Sequence, residues 1–149
     1  MNRPQARLDS SGKDKMTQAT HALVERFLET IFSASLREEM FTPDLTVWSI
    51  YTLREEGWES LQAANKLAHS LFPEGFRYRV KAITAEADRA LAEVEAEGRL
   101  ENGVGYRSDY VFAFRIRDGR IARMEEFFDV REVDKIFALL AAKASGNSL

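Results

Sequence analysis

Between Leu91 and Asp129, apolar residues recur at every second position: Val94, Ala96, Gly98 and Leu100, then Tyr106, Tyr110, Phe112, Phe114 and Ile116. That is the period of a strand with one buried face, because successive side chains point to opposite sides. The stretch predicts three consecutive strands. The last two join across Arg117-Asp118-Gly119-Arg120, since Asp-Gly between alternating runs favours a two-residue hairpin.

Upstream the period changes. Leu23, Phe27 and Ile31, flanked by Val24, Leu28 and Phe32, repeat at helical spacing and predict an amphipathic helix from Met16 to about Ala34. A short helix over Leu36–Met40 ends at Thr42-Pro43-Asp44, because the residue before proline avoids helical backbone. Leu45–Tyr51 is rich in strand formers, and 52–57 reads as a polar loop. Leu61, Ala64, Leu67, Ala68 and Leu71 define a helix from Trp58 to Phe72, stopped by Pro73-Glu74-Gly75. Phe76–Ala85 is the next strand, with Phe76, Tyr78, Val80 and Ala82 on one face. Val130–Lys143 is a closing helix. Residues 1–14 read as a loose tail, 15–144 as one domain, and 145–149 as a frayed end.

Charge pattern suggests how the strands pair. Arg77, Arg79 and Lys81 alternate on one strand, and Glu93, Glu95 and Glu97 on the next. A hairpin through Ala87-Asp88-Arg89 sets Lys81 opposite Glu95, Arg79 opposite Glu97, and Tyr78 opposite Gly98. Three glutamates on one strand invite an acid-base reading, but a cross-strand charge ladder accounts for them. The following hairpins pair Ala96 with Tyr110, Gly98 with Ser108, Tyr110 with Phe127 and Ser108 with Asp129. In the last strand Ala122 and Met124 are even-numbered and Phe127 is odd. This predicts a bulge near Glu125-Glu126 and leaves open which of the two points inward.

Helix, short helix, strand, helix, then a four-stranded meander is an α+β order. It predicts a cone: a curved, mostly antiparallel sheet wrapped around the N-terminal helices, a cystatin-like α+β barrel with a C-terminal helix. The pairings put Tyr78, Tyr110, Phe112, Phe127, Ser108 and Asp129 on the inner face, with Trp48 or Tyr51 contributing from the first strand. Such a lining suits a flat, hydrophobic small molecule, or is plain core in which tyrosine hydroxyls find partners. Asp129 is the candidate proton shuttle, with Tyr110 donating to a developing oxyanion. Asp129-x-x-Glu132 also has capping-box spacing at the start of the last helix. His21 reads as a surface residue and His69 as a rim or core one.

Composition narrows the classes. The chain has 149 residues, 45% hydrophobic and 30% charged, with a formal charge of −3. There is no basic cluster to suggest nucleic acid, and no apolar run long enough to suggest a membrane span. The absence of cysteine removes disulfides and thiolate chemistry, and two histidines leave little for a metal site. A cytoplasmic protein needing neither metal nor cofactor is the expectation. The outer sheet face carries Val111, Ala113, Ala122 and Met124 with no helix to cover it, which predicts a homodimer through that face.

Gly103-x-Gly105-Tyr106, Ser108-x-Tyr110, Asp118-Gly119-Arg120-Ile121 and Glu126-Phe127-Phe128-Asp129 recur as a set, and Phe41-Thr42-Pro43-Asp44-Leu45-Thr46-Val47 fits with them. Together they resemble the SnoaL-like branch of the nuclear transport factor 2-like superfamily, over about residues 16–143. The resemblance implies the cone. It identifies activity less well, since the superfamily includes isomerases, cyclases, hydrolases, dehydratases and non-catalytic binders. Ketosteroid isomerases of this kind carry an Asp base where this chain has Ser49, and a tyrosine on a first helix that here has none. Limonene-epoxide-hydrolase-like members use an Asp-Arg-Asp set, of which only Asp129 is matched; the other positions fall on Ala96 and Gly98. Scytalone-dehydratase-like sites need two pocket histidines, and only His69 lies near. What the resemblance leaves is an acid-base cyclase or isomerase acting on a hydrophobic aromatic or polyketide-like substrate. The alternative is a ligand-binding or assembly domain without chemistry.

Overall fold

The computed structural model describes residues 10–146. In chain order the elements are α1 (Ser10–Ile31), a 3₁₀ turn (Glu38–Met40), β1 (Phe41–Ser49), β2 (Glu55–Glu56), α2 (Trp58–Ser70), β3 (Phe76–Glu86), β4 (Arg89–Arg99), β5 (Gly105–Arg117), β6 (Arg120–Phe128) and α3 (Val130–Gly146). The six strands form one curved sheet, ordered β2-β1-β6-β5-β4-β3. Every pairing is antiparallel except β1 with β6. This is the α+β cone expected from the order of elements. Residues 10–14, expected in the tail, begin α1; the earlier part of that stretch lies outside the described residues. Among the described residues, no helix is long and apolar enough to cross a membrane.

α1 lies in the concave face of the sheet. Its stripe Leu23, Val24, Phe27, Leu28 and Ile31 is buried. Phe27 is 0% exposed and meets Phe41, Phe112 and Phe114 edge-on, with centroids 6.1, 5.8 and 5.2 Å away. Near its start α1 also holds the β3–β4 turn. Thr20 Oγ1 donates to the Ala87 carbonyl (2.6 Å), and Ala87 N–H donates to Thr17 Oγ1 (2.9 Å).

The faces of β4 and β5 are as expected, but the registers are not. In β3–β4 the turn is Ala87-Asp88, with Glu86 opposite Arg89, and Lys81 bulges between Val80 and Ala82. Arg79 therefore faces Glu95, and Tyr78 faces Ala96, two residues from the expected pairing. The bulge has a clear purpose: beyond it Ile83 and Ala85, rather than Ala82, turn toward the core. The charge ladder persists with shifted partners, Arg79–Glu95 (2.5 Å), Arg107–Glu95 (2.6 Å), Arg77–Glu97 (3.1 Å) and Lys81–Asp109 (2.8 Å). In β4–β5 the slip is again two residues, with Ala96 opposite Ser108 and Gly98 opposite Tyr106. A two-residue slip keeps every side chain on its own face, so the hydrophobic pattern cannot detect it.

Two further irregularities shape the site. β6 pairs Ile116 with Ile121 but Arg115 with Arg123, so its bulge falls at Ala122 and not at Glu125-Glu126. Met124 is thus fully buried inside, contrary to the outer position expected of it. β1 begins at Phe41, earlier than expected, because Thr42-Pro43-Asp44 forms an irregular stretch of the strand where a proline without N–H is tolerated. β2 occupies part of the expected loop.

Gly98 shows how closely the second cluster of Leu71, Phe72, Leu100, Tyr106 and Leu139 packs. A Cβ added at Gly98 would lie 2.9 Å from Phe72 Cδ1 and 3.1 Å from the Gly75 carbonyl. Gly98→Val is expected to lower stability by about 1–3 kcal/mol in chemical denaturation. Gly105→Val, where an added Cβ meets nothing within 4 Å, should change it little.

Candidate active site

The narrow end of the cone is filled by Phe27. The wide end encloses a cavity of about 290 Å³. Its sheet wall is Phe112, Tyr110, Tyr106, Glu126 and Phe128; its helix walls come from α2, including Asn65 and His69, and from Ile136 and Phe137 of α3. A second concavity of about 310 Å³ lies on the outer face of the sheet, lined by Arg89, Leu91, Arg115, Arg123 and Glu125. It shares no lining residue with the wide-end cavity.

The bulge at Ala122 decides what β6 presents. From Met124 onward the even-numbered residues face inward, so Glu126 sits opposite Phe112 and beside Ser49 of β1. Glu125 points out, toward Arg123. Among the described residues, no side chain hydrogen-bonds or pairs with the Glu126 carboxyl. Protein surrounds the group, and its remaining accessible surface opens on the cavity. Burial raises its pKa from 4.5 to about 7. A carboxyl in that range exchanges protons readily near neutral pH.

Beside it, the hydroxyls of Tyr106 and Tyr110 are hydrogen-bonded to each other. Burial is the main cause that raises both phenol pKa values, and for Tyr110 the nearby Tyr106 and Glu126 add to it. Two phenols hold two hydrogens and one bond between them, so one hydrogen remains for another acceptor. At the mouth the Tyr51 ring stacks on Phe137 (4.9 Å, 3°), and its hydroxyl donates to Asp134 Oδ1 (3.0 Å).

Of the residues singled out from sequence, Tyr51, Tyr110 and Phe112 line the cavity. The others lie elsewhere. Tyr78 stacks on Phe32 (4.8 Å) at the edge strand and forms a layer behind the lining. Trp48 and Phe127 face the outside of the sheet, where their rings meet at 5.5 Å. The expected inward position of Phe127 rested on a bulge placed too late in β6. Ser108 is buried, accepting from Asp129 N–H (3.1 Å) and donating to the Asp109 carbonyl (3.0 Å). Asp129 does not line the cavity: it caps α3, with Oδ1 accepting from Arg131 N–H (3.0 Å) and the carboxylate paired with the Arg131 guanidinium. That pairing lowers its pKa, the opposite of what a proton shuttle needs. Glu126 is the buried acid of the cavity; Glu56, also in its lining, is exposed. Its signal was present: Met124, Glu126 and Phe128 share a parity once Ile121 and Met124 are both taken as buried.

No group of three or more metal-ligating side chains lies together among the described residues. The SnoaL-like domain profile matches residues 17–124, and the chain belongs to that family. No curated protein matches it. Among solved structures, it is similar to PrhC from Penicillium brasilianum NBRC 6234 (TM-score 0.73, 14% identity, covering 87% of this chain and 92% of that one). A "Putative SnoaL-like polyketide cyclase" from Jannaschia sp. CCS1 gives TM-score 0.71 and 19% identity, covering 91% and 96%. An LEH-like epoxide hydrolase from M. tuberculosis gives 0.61 and 19%, covering 87% and 98%. At these identities the likeness concerns the fold.

The raised pKa makes a stability prediction. The native state keeps the Glu126 proton up to about pH 7, while an unfolded chain releases it near 4.5. Stability therefore falls as pH rises between those values and stays at the lower level above them. Glu126→Gln removes the cost of burying the charge. Its melting temperature at pH 8 should exceed wild type by several degrees, equivalent to about 1–2 kcal/mol. At pH 4.5 the two should nearly coincide in the same calorimetric comparison.

Proposed function

We propose that this protein binds a small, mostly apolar, aromatic or polyketide-like molecule in the cavity and exchanges a proton with it through Glu126. One observation carries the reading: an unpartnered carboxyl, titrating near neutrality, faces an aromatic cavity. The second hydrogen of the Tyr106–Tyr110 pair, turned from the neighbouring Ser108 toward the cavity, would stabilise negative charge developing on a ligand oxygen. Family membership and the description of the Jannaschia protein as a polyketide cyclase support an acid-base cyclase or isomerase. A binding role without chemistry is favoured by Ser49, which stands where ketosteroid isomerases carry their base.

Aromatic ketones test this. Wild type should accelerate exchange of the α-hydrogens of 2-tetralone in D₂O over buffer, followed by proton NMR. Glu126→Gln should reduce the acceleration by about 100-fold, the scale of a lost acid-base group, while 2-tetralone still raises the melting temperature. A thermal shift without exchange in wild type favours the binding role.

The proposal includes a second copy on the outer sheet face. Arg89, Arg115 and Arg123 lie side by side on β4, β5 and β6, and of the three Arg123 has carboxylate partners within the described residues, Glu55 and Glu125. Arg89 and Arg115 have no ion-pair partner within the described residues, and neither does Glu93 on the same face. Leu91 and Val111 between them are 48% and 36% exposed. Face-to-face packing would bring Glu93 of one copy toward Arg115 of the other and cover those apolar residues. Sedimentation velocity at micromolar concentration should show a dimer, and Leu91→Glu should shift it to monomer.

A further inference from the structure

The cavity holds a second group able to move a proton. His69 lies on α2, and its Nε2 is 2.8 Å from the carbonyl oxygen of Ile31, the last residue of α1. A carbonyl only accepts, so Nε2 carries the hydrogen, and the neutral ring then keeps its lone pair on Nδ1. Asn65 Nδ2 donates to the same carbonyl (2.9 Å), so α1 remains tied to α2 even without the imidazole. The ring stands edge-on to Phe76, centroids 4.9 Å apart and planes at 86°, which fixes its orientation. Nothing among the described residues donates to Nδ1, although His69 lines the cavity. Nδ1 keeps accessible surface, so a donor in the cavity, from a ligand or from water, can reach its lone pair.

Glu126 is on the sheet wall of the same cavity and His69 on the helix wall. One presents a proton and the other a lone pair. We propose that His69 is the base that takes a proton from a carbon acid while Glu126 supplies one to the substrate oxygen, so that the substrate is a carbonyl compound with an acidic α-hydrogen. The proposal rests on the Glu126 reading above. In the step, the C–H bond breaks and its proton goes to Nδ1. The freed pair becomes the C=C bond, and the carbonyl π pair takes the Glu126 proton to give the enol. His69 is left as imidazolium and Glu126 as carboxylate. Reversal, or reprotonation at a second carbon, restores both groups, and no oxidant or cofactor enters the balance.

The test uses 2-tetralone and His69→Gln. The glutamine amide can still donate to the Ile31 carbonyl, but its oxygen cannot take up a proton. The variant should melt within a few degrees of wild type and keep the 2-tetralone thermal shift, yet lose about 100-fold in α-hydrogen exchange. Independently of turnover, long-range ¹⁵N–¹H spectra should show Nδ1 of His69 unprotonated in the free protein. Its resonance should move when 2-naphthol, a hydroxyl donor of similar size, is bound. Full exchange in His69→Gln, or a proton found on Nδ1 with Nε2 bare, overturns the base assignment. If exchange is lost in Glu126→Gln but intact in His69→Gln, the proposed function stands and this inference alone fails. Absence of exchange by wild type overturns both.

Discussion

The packing of Phe27 into the concave sheet is the contact on which the rest depends. A six-stranded sheet can enclose a helix only if it curves strongly, and this one takes its curvature at bulges: Lys81 in β3, Ala122 in β6 and the irregular start of β1. The rings of Phe41, Phe112 and Phe114 converge on Phe27 and close the narrow end. α1 ends at Ile31, one turn later, and Ile31 with the following Phe32 reaches the cavity wall. Beyond them the chain leaves the concave face, and the sheet, α2 and α3 enclose the rest of the cavity. The solid end and the hollow end are two consequences of one geometry.

Placing a carboxyl without a partner in that hollow is locally unfavourable. Several other acids are matched: Glu95 by two arginines, Glu132 by Lys135, Glu86 by Lys13. Each of these carboxyls has a lowered pKa, with a hydrogen bond to its basic partner as the leading cause. Glu126 is raised by burial alone. The contrast is informative because stability would be better served by glutamine or methionine at this position. Groups kept at a cost to the fold concentrate where function uses them.

Much of this was legible in the sequence. The alternation in Leu91–Asp129 and the helical stripe of Leu23, Phe27 and Ile31 specify faces, and faces specify the cone. Tyr110 and Phe112 were readable as lining because their parity survives a register slip of two. What was hidden depends on single-residue insertions. A bulge reverses parity downstream of itself, and its position follows from which residues the three-dimensional core can accept. Ile121 and Met124 are both buried, which places the bulge at Ala122; Phe127, a large ring on the outer face against Trp48, argued for a later one. Phe127 and Asp129 were displaced from their expected places by that one residue, which also decides the open choice between Glu125 and Glu126. Trp48 was hidden for a related reason, since an aromatic ring on a strand reads as core until the neighbouring outer ring is known.

Glu126 and Asp129 show how little residue type decides by itself. They are three residues apart, at the end of the same strand, and both are acids. Asp129 falls where β6 gives way to α3, so the unsatisfied N–H groups of the helix start and the Arg131 guanidinium surround it with donors. Glu126 falls one turn of the pleat earlier, where the strand still faces the aromatic interior and its own backbone donors are taken by sheet pairing. The first environment rewards charge and the second penalises it. β1 shows the same logic across strands: Ser49 is the direct neighbour of Glu126, so the two strands bring a small polar side chain and a carboxyl to adjoining places on the cavity wall. Burial at that place, and not residue type, is what raises the pKa of the carboxyl.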